Sequence, residues 1–274
     1  RAGIETVGPA GAGFQVAEYR KPQFQVSIET DKPEYLQGDT IKVHSKAEYY
    51  FGGPVADAKV HWSVVTDDYT FNYTGKGWYD FTDYDWSSER YYGGYYGGLV
   101  TEGDGVTDAN GDFTFSVPAD IADKINSQRY TIEASVTAPN DQQVSNNTAA
   151  VIHKAMFYVG LAPQRYVSSA GDEAKINVIT VDWESKPTAG ISVTLVYNKH
   201  EWFSVEEQSE DGSYNWTSKS VDTPVYTETV KTGDDGRAVG AFTPKDGGIY
   251  RIIATAEDEK GNPTRSSTFL WVSG

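Results

Sequence analysis

The sequence contains no cysteine and few residues that could do chemistry in its place. None of its 274 residues is Cys and only 4 are His. The first absence excludes a disulfide framework, a cysteine nucleophile and a thiolate metal site from these residues. The second leaves little imidazole for zinc or for acid–base catalysis. No Gly-x-Ser-x-Gly elbow occurs either, so we predict no enzyme activity, no catalytic residue, no cofactor and no bound metal.

Positive charge and long apolar runs are also scarce. The chain has 23 Lys and Arg against 39 Asp and Glu, a formal net charge of −16. That balance argues against binding to nucleic acid or to an anionic membrane surface. No apolar run reaches the roughly 18 residues that a membrane-spanning helix needs. Because the chain starts at Arg1 and lacks the apolar core of a signal peptide, we interpret it as a fragment of something longer.

Aromatic residues and a two-residue periodicity dominate what is present. The chain has 19 Tyr and 7 Trp, which favour pleated, half-buried surfaces. Phe24, Val26 and Ile28 alternate with polar residues, a pattern typical of strands that bury one face, and it recurs along the chain. One short helical turn is predicted over 118–125, where Ile121 and Ile125 would share a face. The predicted fold class is all-β.

The sequence repeats itself. The matching positions in the two halves are Gly38 and Gly171, Pro54 and Pro187, Gly111 and Gly236, and Tyr130 and Tyr250. Order and spacing agree, which favours two immunoglobulin-like β-sandwiches in tandem. We predict an N-terminal segment over 1–20 that is the last strand of a preceding domain, one sandwich over 21–152 and another over 153–274. Asn110-Gly111 and Asp235-Gly236 predict type I′ hairpins, with both residues at positive φ.

The first copy carries an extra stretch over 67–105 that is rich in aromatic residues and glycine. We favour the interpretation that its rings fill a gap between this loop and an adjacent domain, since large exposed aromatic patches are rare on lone domains. The alternative is a protein-contact loop, because Tyr and Trp anchor interfaces. Its candidate residues are Tyr69, Phe71, Tyr73, Trp78, Tyr79, Phe81, Tyr84, Trp86, Tyr91, Tyr92, Tyr95 and Tyr96. The acids of the loop, Asp80 and Asp83 among them, lack the rigid platform of a glycosidase pair, and we expect them to be solvated.

Several segments resemble the bacterial alpha-2-macroglobulin family. The segments are Phe14–Val26, which includes Glu18-Tyr19 and Pro22, then Tyr49–Val55, Tyr158–Leu161 and Leu270–Gly274. The resemblance covers nearly the whole chain after Phe14. It implies the third and fourth macroglobulin domains with the end strand of the second, and it implies sandwiches of seven strands.

The resemblance also implies a function. Members trap endopeptidases after cleavage of a bait region, with a Cys-Gly-Glu-Gln thioester as a covalent catch. The absence of Cys places that thioester elsewhere, and no segment here is assigned as bait. We therefore expect a non-catalytic, soluble scaffold fragment that contacts neighbouring macroglobulin domains and reaches target endopeptidases through the full-length protein. We expect an extracytoplasmic location, periplasmic, secreted or at the cell surface, and leave membrane anchoring of the parent open. The rival hypothesis is a surface adhesion or carbohydrate-binding tandem that uses the aromatic loop.

Overall fold

The computed structural model describes residues 22–83, 98–208 and 214–274, and within them it contains sixteen strands and no helix. The first eight strands are β1 (Phe24–Thr30), β2 (Glu34–Leu36), β3 (Thr40–Tyr49), β4 (Lys59–Asp68), β5 (Gly98–Val106), β6 (Asp112–Pro118), β7 (Gln128–Thr137) and β8 (Gln143–His153). The other eight are β9 (Tyr158–Pro163), β10 (Val167–Ser169), β11 (Ala174–Val181), β12 (Ser192–Gln208), β13 (Tyr214–Lys231), β14 (Arg237–Phe242), β15 (Gly248–Glu257) and β16 (Pro263–Ser273). The segment predicted over 1–20 lies outside the described residues.

Strands β1–β8 form one sandwich, called sandwich 1. A three-stranded sheet in the order β1-β3-β6 faces a five-stranded sheet in the order β2-β8-β7-β4-β5. The inward residues of the alternating pattern, such as Phe24, Ile41 and Ile132, are fully buried between the sheets. Burying one face of each sheet removes apolar area from water, which is the main stabilising term of such a fold.

Strands β9–β16 form sandwich 2 with the same plan. Its sheets run β14-β11-β9 and β10-β16-β15-β12-β13, and Leu161, Ile176 and Leu195 lie in its core. Each strand of sandwich 1 therefore has a counterpart eight elements later, and the prediction of an all-β tandem of sandwiches is confirmed. The count is eight strands per sandwich rather than seven, because short β2 and β10 pair in parallel with β8 and β16.

The hairpin turns differ from the predicted type I′. Gly111 and Gly236 have φ of 76° and 70°, but neither Asn110 nor Asp235 has a positive φ. The Gly111 amide donates to the Asp108 carbonyl, which closes a type I turn followed by a left-handed glycine. The Asp108 carboxylate accepts from the amides of Asn110 and Asp112. These backbone hydrogen bonds lower the pKa of Asp108 and fix the first turn in this form.

The helical turn predicted over 118–125 is wrong. Ile121 is buried and Ile125 is exposed, so the two do not share a face. Lys154 Nζ donates to the carbonyls of Ile121 and Ala122, and the Gly38 amide donates to that of Ala119. The Lys124 amide donates to the Ile121 carbonyl in an isolated turn, and the carbonyls of Ala119, Asp120 and Ala122 are bound to other parts of the chain.

One feature of sandwich 2 was not predicted. Strand β12 pairs with β15 only over Thr194–His200, whereas its pairing with β13 continues to Gln208. The outer parts of β12 and β13, from Glu201 to Val221, therefore project past the sheet as a two-stranded arm. We call this element the projecting hairpin, and its described residues are 201–208 and 214–221.

Candidate functional site

The described part of the aromatic insertion crosses from sandwich 1 onto sandwich 2. Strands β4 and β5 take up its two ends, 67–68 and 98–105. Asp80 exchanges backbone hydrogen bonds of 2.8 and 3.0 Å with Leu161 of β9, and the Ser267 amide of β16 donates to the Thr82 carbonyl. Residues 69–83 are thus tied to both sheets of sandwich 2. We call the surfaces that meet here the junction.

Aromatic rings fill the junction. Phe71 stacks on Tyr158 with ring centroids 4.1 Å apart and meets Phe81 edge to face at 5.2 Å. Both phenylalanines are buried, together with Ile179 and Val181, in a cluster separate from the two sandwich cores. Gly160 of β9 makes room for Phe81, since a Cβ there would lie 2.6 Å from the ring. The rings therefore belong to a small core shared by the sandwiches.

The candidate contact residues divide into three groups. Tyr69, Phe71, Tyr73, Tyr79 and Phe81 pack in the junction cluster, and Tyr79 also accepts a 2.6 Å hydrogen bond from Arg237 Nη1 of β14. Trp78 is 92% exposed and faces solvent. The remaining candidates lie outside the described residues: Tyr84, Trp86, Tyr91, Tyr92, Tyr95 and Tyr96. For the first group, the protein surface contacted is sandwich 2 of the same chain.

Asp83 is the centre of an ionic network at the junction, contrary to the expectation of a solvated acid. Its side chain is 1% exposed, accepts from Arg251 Nη2 at 2.6 Å and pairs with Arg265. Arg251 Nη1 donates to Asp222, whose other oxygen lies 2.6 Å from His200 Nδ1. Burial lowers the pKa of Arg251, but the carboxylates of Asp83 and Asp222 outweigh that effect and hold the pKa above its usual value.

Asp80 is likewise not solvated. Its carboxylate accepts a 2.6 Å hydrogen bond from the Thr268 hydroxyl of β16. Burial raises the pKa of Asp80, and the Thr268 hydrogen bond partly opposes this rise. Asp80 and Asp83 are therefore held by partners that lie nearly two hundred residues away in the sequence. No local sequence pattern indicates such partners.

The linker between the sandwiches is held from both sides. On one side, the Lys154 amide donates to Ser127 Oγ and its ammonium to the Ile121 carbonyl of sandwich 1. On the other, Trp183 Nε1 donates to the Ala155 carbonyl at 2.9 Å, and Asp258 accepts from the Met156 amide at 3.1 Å. A linker with its polar groups paired in this way joins the sandwiches firmly rather than as a free tether.

His153 closes the junction beside the linker. Its side chain is 1% exposed, its Nδ1 lies 2.6 Å from the Tyr158 hydroxyl, and its ring stacks on Trp183 with centroids 4.0 Å apart. Burial lowers the pKa of His153 to about 4. Glu34 lies 3.6 Å from Nε2, but it is 40% exposed and screened by water, so the buried ring stays neutral at pH 7.

The internal repeat contains a sequence signal for the junction. Three pairs of positions lie 133 residues apart and face away from the sandwich cores. In each pair the residue of sandwich 1 is polar and exposed, whereas that of sandwich 2 is apolar and buried. The pairs are Gln25 and Tyr158, Lys46 and Ile179, and Glu48 and Val181. An apolar side chain at a position where its repeat partner is charged marks a surface that is covered in one copy only.

The junction offers structural rather than reactive chemistry. Within residues 22–83, 98–208 and 214–274, no three His, Asp or Glu side chains are grouped so that they could hold a metal ion. The same part of the chain contains no helix long and apolar enough to cross a membrane. What its paired charges and stacked rings can do is hold two sandwiches in one orientation.

Comparison with known sequences places this arrangement among relatives. The family model described as bacterial macroglobulin domain 6 matches residues 160–272, where the resemblance implied a fourth domain. The chain is 24% identical over 269 residues to the alpha-2-macroglobulin homolog of a Nostoc species, covering 95% of this chain and 13% of that protein. It is 27% identical over 240 residues to the Thermotoga maritima alpha-2-macroglobulin, covering 87% and 12%. The chain thus spans about an eighth of the length of these relatives.

Solved structures agree on the fold. The native conformation of Escherichia coli alpha-2-macroglobulin matches with a TM-score of 0.67 and 15% identity, over 94% of this chain and 16% of that one. Salmonella alpha-2-macroglobulin reacted with methylamine matches with a TM-score of 0.65 and 13% identity, over 94% and 17%. The second sandwich thus matches a bacterial macroglobulin domain, and the whole tandem is similar in sequence and in fold to bacterial alpha-2-macroglobulins.

Proposed function

We propose that the chain is a non-catalytic scaffold segment of a longer protein, the parent protein, which inhibits endopeptidases by trapping them. The observation that carries the proposal is the junction. Asp83 of sandwich 1 lies buried between Arg251 and Arg265 of sandwich 2, and the aromatic cluster and the paired linker surround it. A wall that must hold a captive protein needs modules joined rigidly, and this pair of sandwiches is joined in that way.

Related structures support a link to endopeptidases. One matching structure is described as Escherichia coli alpha-2-macroglobulin activated by porcine elastase, with a TM-score of 0.67, and another as trypsin-activated, with a TM-score of 0.61. Our proposal extends that link to the parent protein. Its bait and any thioester would lie outside this segment, which has no cysteine. Neighbouring macroglobulin domains would be its direct partners, and its location would be extracytoplasmic.

The domain limits belong to the same proposal. We assign 21–152 and 153–274 to consecutive macroglobulin domains and 1–20 to the end of a preceding one. Strand β8 ends at His153 and β9 begins at Tyr158, which supports a division in this region. Limited proteolysis followed by mass spectrometry tests the division, because cuts should concentrate outside both sandwiches.

The functional test is a titration against elastase and trypsin. We expect the 274-residue chain alone to leave cleavage of both a small chromogenic substrate and a bulky protein substrate unchanged. The parent protein should suppress cleavage of the bulky substrate while the small one still enters the cage. Stoichiometric inhibition by the chain alone would mean that the inhibitory element lies in this segment. If the parent also fails to protect the bulky substrate, the trapping function is wrong.

A further inference from the structure

The projecting hairpin presents an aromatic face that is largely exposed; among its rings, Trp202 packs edge to face on His200 at 4.9 Å. In its register Trp216 lies opposite Glu206 and Tyr214 opposite Gln208, while Trp202 sits four residues before Glu206 on the same strand. Alternation along a strand then places Trp202, Trp216 and Tyr214 on one face. They are 45%, 71% and 62% exposed. Aromatic rings concentrated on one exposed face are typical of protein-contact surfaces.

On the other face of the hairpin, Phe203 and Val221 are about half exposed. A two-stranded hairpin has marginal stability in water unless a further strand or a packed surface joins it. This arm extends the sheet by eight residues on β12, from Glu201 to Gln208, with β13 as its partner. A surface packed against its exposed rings would therefore stabilise it.

The internal repeat identifies the kind of partner. Strands β12 and β13 are the counterparts of β4 and β5, so the projecting hairpin occupies the position of the aromatic insertion. The insertion combines rings with carboxylates, and it lies on the apolar patch and the two arginines of the neighbouring sandwich. The hairpin carries the same chemistry, with Glu201 and Glu206 beside its rings. The docked insertion is therefore the precedent, within this chain, for what the hairpin contacts.

We propose that the projecting hairpin docks on a further macroglobulin-type sandwich. That sandwich would pack against sandwich 2 in the way that sandwich 2 packs against sandwich 1. The docking surface of that partner combines apolar side chains with arginines, as Tyr158, Ile179 and Arg251 do in sandwich 2. This inference rests on the proposal that the chain works within a longer protein of several such domains.

A second copy of this chain does not offer that surface. In sandwich 2 the apolar patch is already covered by the insertion. In sandwich 1 the equivalent positions are exposed and polar, namely Gln25, Lys46 and Glu48. Among the described residues, neither of these two surfaces therefore presents a free apolar patch with arginines to a hairpin from another molecule.

The test is site-specific photo-crosslinking in the parent protein. Trp216→p-benzoylphenylalanine places the probe on the aromatic face, and Val239→p-benzoylphenylalanine on exposed strand β14 serves as the control. We expect the probe at 216 to crosslink within the parent to a peptide from the outer sheet face of another sandwich, at least tenfold above the yield at 239. Crosslinks to residues 84–97, to a second molecule or to a protease, or no crosslink above the control, would overturn the proposal.

A double variant separates docking from folding. In the 274-residue chain, Tyr214→Ser with Trp216→Ser should leave the melting temperature within about 2 °C of that of the unmodified chain, because both rings are more than half exposed. In the parent protein the same change should raise the proteolysis rate of the hairpin several-fold, and an unchanged rate would contradict docking. Neither readout uses protease inhibition, so failure here is distinguishable from failure of the trapping function.

Discussion

His153 shows how a single side chain reports on the junction. Its imidazole is enclosed by Tyr158 and Trp183 of sandwich 2 and by Tyr69 of the insertion. Periodicity predicts neither its burial nor its neutral state, because it ends strand β8 and is covered by residues that lie elsewhere in the sequence. Asp83 is similar, since its burial depends on arginines from β15 and β16.

The buried His153 predicts an acid-dependent loss of stability. Its pKa is about 4 in the folded chain and near 6.5 when unfolded, so the unfolded chain takes up the proton first. Stability is complete above pH 6.5 and falls as the pH drops towards 4, by about 3 kcal/mol. Urea unfolding at several pH values measures this loss, with Glu34, Lys154 and Tyr158 as the nearest titratable groups.

His153→Phe should remove the part of the pH dependence between pH 6.5 and 4. His61→Gln is the matched control, because it also removes an imidazole, one that is about half exposed, and the loss of stability caused by His153 should persist in it. If the His153 variant keeps the full pH dependence, the proton is taken up at another site.

At the scale of elements, docking of the insertion depends on a glycine in a neighbouring strand. Gly160 of β9 has no positive φ, so a valine is acceptable to its backbone, yet a Cβ there collides with Phe81 and Ile179. We expect Gly160→Val to destabilise the chain by about 1–3 kcal/mol through overpacking. Thermal unfolding measures the loss, and hydrogen exchange should show faster exchange at Asp80.

Gly98→Val is the control for that variant, since nothing lies within 4 Å of a Cβ at this strand position. Its melting temperature should stay close to that of the unmodified chain. Equal destabilisation by the two valines would mean that the glycines matter for their own strands and that Phe81 is not held against β9.

Elements with one buried face could be predicted from the sequence, and those with none could not. Strands such as β7 alternate because Tyr130, Ile132 and Ala134 enter the core. The projecting hairpin has solvent on both faces, so Trp202 and Phe203 stand side by side and no two-residue period arises. The prediction of a positive φ at Gly111 and Gly236 was correct. The turn type could not be predicted, because it depends on hydrogen bonds to the Asp108 carboxylate.

At the scale of the molecule, the junction predicts that the two sandwiches unfold together. Asp83→Asn removes one of the two carboxylates that pair with the buried Arg251, while Asp222 stays in place, so we expect a loss of about 1–3 kcal/mol. Calorimetry should show one transition for the unmodified chain and two for this variant, because the sandwiches then melt separately.

Asp123→Asn is the control for the charge change. Asp123 is exposed and pairs with Lys124 on the surface, so its loss should leave a single transition. Two transitions in the unmodified chain would show that the hydrogen bonds of the junction do not couple the unfolding of the two sandwiches.

The wide sequence separation across the junction has a consequence during protein synthesis. The bond between Asp80 and Thr268 joins residues 188 positions apart, and Thr268 lies in the last strand of sandwich 2. A ribosome adding roughly 5–20 residues per second needs about 10–40 s to cover that interval. Sandwich 1 can complete its own sheets during this time, but Phe71 and Phe81 must wait for β9 and β11. The nascent chain therefore carries an uncovered aromatic segment until sandwich 2 has emerged, and this interval is when it is most exposed to chaperones and to aggregation.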